Sequence, residues 1–96
     1  MKKFMMLMVG FETPTSAIMT AWRRWFESIA ERQLDRGALM NGREISRAGV
    51  QELPMDRSAV TGYVVIHAEN LDEAMRIAEQ NPYIESIRVY EIMGKA

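Results

Sequence analysis

Apolar and polar positions repeat with two different periods along this chain, and the switch between them is clearest between Ala59 and Tyr83. Tyr63-Val-Val-Ile66 is β-branched and aromatic and too short for a helix core, so residues 59–68 read as a strand. Asn70 then offers an N-cap, and Glu73 three residues later completes a capping box. Asp72 and Glu73 put negative charge in the first turn, where the helix dipole favours it. Ala74, Ile77 and Ala78 share a face, and Asn81-Pro82 stops the helix, giving residues 71–80.

The remaining segments follow by the same reasoning. Residues 3–9 form a strand in which every position from Phe4 to Val9 is apolar, so both of its faces need cover. Gly10 breaks it, and Thr13-Pro14 opens a helix with proline near the first helical position. Ile18, Trp22, Trp25, Phe26, Ile29 and Leu34 form its apolar stripe, and Arg23, Arg24, Glu27, Glu31 and Arg32 its polar side. The expectation is a helix to Arg36, with Gly37 as its C′ residue. Asn41-Gly42 marks a turn, residues 44–46 a short edge strand, and residues 49–58 a polar loop. Residues 86–93 form the last strand.

The order β-α-β-β-α-β, with right-handed crossovers, predicts an α+β, ferredoxin-like fold: a four-stranded antiparallel sheet with both helices on one face. Two helices shelter one side only. The other side is an open face on the order of 400–500 Å² in projection, to which the first strand brings no polar face. The expected cover is a second copy, sheet against sheet, in a homodimeric α/β barrel. Alternation assigns Val60, Gly62, Val64 and Ile66 to the helix side, with Gly62 allowing a helix to come close. Tyr63, Val65 and His67 then share the other face with Arg88, Tyr90 and Ile92.

Composition narrows the function classes. Ninety-six residues predict one domain, residues 1–96. The chain has no cysteine, which excludes disulfides and cysteine metal sites, and no metal cluster is readable. A net charge of −1 with mixed signs gives no nucleic-acid footprint. No apolar run approaches the ~20 residues needed to span a bilayer. Lys2-Lys3 before an apolar run resembles an export signal, but the run is short and Glu12 follows at once; the expectation is a cytoplasmic protein. The glycines are too scattered for a phosphate loop, and no cofactor is expected.

His67, the only histidine, is the candidate general base or ligand donor; the plainer reading is a solvated or hydrogen-bonded residue. Arg88 with Tyr90 suits an anionic or phenolic ligand, and the plainer reading is an ion pair. Arg43 beside Gly42 has the same two readings. Trp22 and Trp25 are core residues or stacking surfaces, and the nine methionines fill core and interface or line an adaptable pocket.

Several segments together, MKKFMMLMVGFE, WRRWFESIAERQLDRG, TGYVVIHAENLDEAMRIAEQNP and IESIRVYEIM, resemble the YCII-related domain family of the dimeric α/β-barrel superfamily. The resemblance runs nearly end to end and implies a ferredoxin-like fold and a barrel dimer. Many members carry Asp-Gly-Pro-Phe before the third strand; here that region is Leu53-Pro-Met-Asp56. Some members are proposed to use a His–Asp pair with the histidine on the first helix. Residues 15–36 contain no histidine, so that pair does not carry over. Three functions remain in view: a binder of a small, partly apolar or anionic molecule at Tyr63, His67, Arg88 and Tyr90; a cofactor-free isomerase, lyase or monooxygenase using His67; and a structural or regulatory module without ligand.

Overall fold

In the computed structural model, which describes residues 1–94, the chain runs β1 (Lys2–Val9), α1 (Ser16–Ser28), β2 (Gln33–Ala38), β3 (Arg43–Ser46), β4 (Gly49–Glu52), β5 (Val60–Ala68), α2 (Leu71–Glu79) and β6 (Ser86–Ile92). The main sheet has the order β2-β5-β1-β6, with all neighbours antiparallel. Each βαβ unit therefore returns its second strand parallel to its first, one strand away. This is the ferredoxin-like arrangement that the alternation of strand and helix signals predicts.

The core lies on one face of the sheet. Phe4 and Met6 of β1 and Val64 and Ile66 of β5 are fully buried there, beneath Trp25 and Ile29 near the end of α1 and Ala74 and Ala78 of α2. The Trp25 indole N–H donates to the Ile77 carbonyl at 3.1 Å, which ties α1 to α2. At the start of α2 the Glu73 N–H donates to Asn70 Oδ1 at 2.9 Å, as the capping signal predicts. The return half of the box shifts by one residue: Glu73 Oε1 accepts from the Glu69 N–H at 3.2 Å and also takes the Arg32 guanidinium.

Three expectations need correction. The first helix begins after Thr15, whose hydroxyl accepts the Ile18 N–H, so Pro14 precedes the cap. That helix ends at Ser28, and residues 33–38, expected as its last turns, are the edge strand β2. The apolar stripe breaks there: Ile29 to Leu34 is a step of five, which no helical face repeats. Gly37 is a strand residue, not a helix cap; a Cβ there would lie 2.6 Å from the Tyr63 ring, which lies across the glycine. Finally, residues 44–46 do not join the main sheet. Residues 43–46 pair with 49–52, expected as loop, in a separate hairpin whose Cα atoms, among the described residues, stay more than 8 Å from those of every other strand and helix.

Candidate functional site

Cross-strand register shows where the strand candidates stand. Tyr63 pairs with Leu7, Val65 with Met5 and His67 with Lys3, while Arg88 pairs with Leu7, Tyr90 with Met5 and Ile92 with Lys3. Cross-strand partners share a face, so Tyr63, His67, Arg88 and Tyr90 lie together on the face away from the helices. They do not meet. Tyr63 and Arg88 flank Leu7 in one row, Tyr90 lies in the next and His67 in a third, a spread of roughly 13 Å along the strands.

Their local chemistry differs. The Tyr63 hydroxyl donates to Asp35 Oδ2 at 3.0 Å, and this bond, with burial and the carboxylate charge, raises the phenol above its ordinary value. His67 Nδ1 lies 3.0 Å from the Met1 sulfur, and among the described residues no carboxylate comes within ion-pair distance of it. Arg43 is held at the base of the hairpin by the Asn41 and Gly42 carbonyls and faces Glu52 at 3.5 Å. Trp22 is elsewhere again, on the helix side.

One concave feature of the subunit, lined mostly by apolar and aromatic residues, is on that helix side. A cleft of about 520 Å³ opens between the first turns of α1, the loop from Gly10 to Pro14, and the β2–β5 edge of the sheet. Its existence follows from how α1 is supported. Cα atoms of α1 stay more than 8 Å from those of every other element. The helix is held off by the aromatic side chains at its C-terminal half, where Trp25 and Phe26 meet edge to face at 5.1 Å between centroids. Below its N-terminal half the sheet surface includes Ala38 and Gly62 beside Met8, and the two small residues leave the gap unfilled.

Gly62 therefore faces the helix side, as alternation predicts, but no helix approaches it closely. A Cβ at Gly62 would meet the Gly37 carbonyl and the Met8 methyl, both at 3.2 Å. The walls are Ile18, Met19, Trp22 and Phe26; Trp22 and Phe26 lie 5.8 Å apart with a 30° tilt, forming an almost continuous aromatic surface. Two charged residues border it, Glu12 and Arg36. Of the six site candidates read from the sequence, only Trp22 lines this cleft.

Phe26 and Arg36 were legible only as part of one helix's stripe and as the expected end of that helix. The five-residue step after Ile29 is the signal that separates them. Among the described residues no group of three histidine, cysteine, aspartate or glutamate side chains could hold a metal ion, and no helix is long and apolar enough to cross a membrane.

No protein-family model matches the chain, and no curated protein matches it significantly by sequence. Among solved structures, the chain is similar to 5-chloro-2-hydroxyhydroquinone dehydrochlorinase (TftG) of Burkholderia phenoliruptrix AC1100, in complex with 2,5-dihydroxybenzoquinone. The TM-score is 0.59 at 12% identity, over 95% of this chain and 93% of that one. At that identity the likeness is one of fold, and it agrees with the ferredoxin-like sheet described above.

Proposed function

We propose that this protein is a homodimeric, YCII-related α/β-barrel protein that binds a small, flat, largely apolar molecule in the cleft under α1. The cleft carries the reading: an unfilled space of about 520 Å³ walled by Trp22, Phe26, Ile18 and Met19 is the size and composition of a small-molecule site. The bound ring in the TftG complex supports it, as a fold of this kind holding a molecule of this shape. The sequence segments resembling the YCII-related family, together with that likeness of fold, support the family assignment.

The dimer is supported by the face opposite the cleft. Met5, Leu7, Val65, Tyr90 and Ile92 make it apolar at its centre, and Tyr90 is half exposed in the subunit. A patch of this kind on a single subunit marks an association surface. In such a pair Tyr63, His67 and Arg88 would line the shared interior, and a catalytic use of His67 would need a substrate to enter there.

Two measurements test the reading. Titration of naphthamide, a flat neutral bicycle, should quench tryptophan emission saturably, and Trp22→Ala should abolish the binding. A protein that binds no aromatic probe at millimolar concentration rules the cleft out as a site. Sedimentation at micromolar concentration should give twice the subunit mass, and Val65→Asp should halve it; a monomeric parent protein removes the dimer from the proposal.

A further inference from the structure

We propose that the cleft selects aromatic molecules carrying an anionic substituent, and that Arg36 is the residue that reads the charge. This rests on the cleft reading above and adds the ligand class to it.

Arg36 sits on β2 opposite Val64, so its side chain leaves the strand on the helix side. Its guanidinium carbon lies over the ring of Phe26, a wall of the cleft, 4.3 Å from the centroid. A guanidinium placed over a ring keeps N–H groups available, and these match a carboxylate in two parallel bonds or a phenolate oxygen through one charge-assisted bond. Ordering on the ring also means that less side-chain freedom is lost when an anion arrives.

The surrounding charges leave those N–H groups unused. The neighbouring Asp35 leaves the strand on the opposite face, where the Tyr63 hydroxyl binds it at 3.0 Å. Glu12, the other charged residue of the cleft, is taken by Arg57 at 3.1 Å, and Arg57 also reaches Glu85 at 3.3 Å. Glu27 shares the adjoining groove beyond Phe26 with Arg36, Arg23 and Gln33 and forms no ion pair with Arg36. The cleft's acid is thus paired with a residue outside it, while among the described residues its base has no carboxylate within ion-pair distance. The charge presented at the aromatic wall is the Arg36 guanidinium.

The test compares naphthoate with naphthamide, which share shape and area and differ in charge, by calorimetric titration of the full chain. Naphthoate should bind roughly tenfold or more tightly, the size expected of one charge-assisted hydrogen-bonded pair. Arg36→Gln should remove that preference and bring the two affinities together, and continued saturable binding of naphthamide by the variant reports an intact cleft. Arg36→Lys should restore part of it, because a point charge replaces the planar fork. Equal affinity of the two probes for the parent protein, or a preference that survives Arg36→Gln, overturns the charge selection and leaves the cleft reading standing. Binding of neither probe overturns both.

Discussion

Helices α1 and α2 lie on the same face of the same sheet but rest on it through different kinds of side chain. α2 turns Ala74 and Ala78 inward, and both are completely or almost completely buried, so its backbone sits close over β5, β1 and β6. α1 turns Trp22, Trp25 and Phe26 inward and stands away from every strand. Small residues close one half of the layer, and large rings at one end of α1 prop the other half open. The cleft is thus a packing consequence: the side chains that anchor α1 at Ile77 are too bulky to let its first turns settle onto Gly62 and Ala38.

Several substitutions would break or sharpen this contrast. Trp25→Ala removes the prop, the hydrogen bond to Ile77 and a buried ring together; it should cost about 3–5 kcal/mol in denaturant unfolding, the largest effect in the series. Ala78→Leu forces volume into the close-packed half and should cost about 1–3 kcal/mol. The same leucine placed at Ala38, on the cleft floor, should be tolerated better and should weaken naphthamide binding; equal destabilisation at both sites would mean that the two halves are packed alike. Trp22→Ala should be milder than Trp25→Ala in unfolding yet more severe in ligand titration, since Trp22 is half-buried on the wall while Trp25 is in the core.

The smallest effect concerns the ion pair that links the turn after α1 to the start of α2. Arg32 donates to Glu73 and holds its carboxyl below the usual 4.5. A carboxyl depressed in the folded state stabilises above its ordinary value and loses that contribution as pH falls through the folded one. Glu73→Gln should therefore lower the melting temperature slightly at neutral pH and leave the acid limb of the melting profile flatter. Both groups are partly solvent-exposed, so the change should be small.

The halves of the layer also differ in how far they can be read from sequence. The strand from Tyr63 and the cap at Asn70 depend on neighbours within four residues, and both stand where the pattern puts them. The placement of Tyr63, His67, Arg88 and Tyr90 on one face follows from alternation alone. Residues 33–38 were not legible because Leu34 resembles one more step of the α1 stripe, and because an edge strand carrying Asp35, Arg36 and Gly37 lacks the usual β-branched signature. The cleft was not legible at all. Its floor comes from β1, β2 and β5, its wall from α1 and its rim from the Gly10–Pro14 loop, and no local pattern records that α1 stands away from them.

The β3–β4 hairpin gives the chain an independent handle. Among the described residues its strands pair only with each other, Ile45 and Val50 face solvent side by side, and the turn at its tip carries Arg47 in the open. Trypsin should therefore nick the polypeptide after Arg47 before it touches the sheet, and the two pieces should stay clasped through β1, β2, β5 and β6. A bacterial display tag or a fluorophore inserted at that tip would ride on the molecule without entering its architecture.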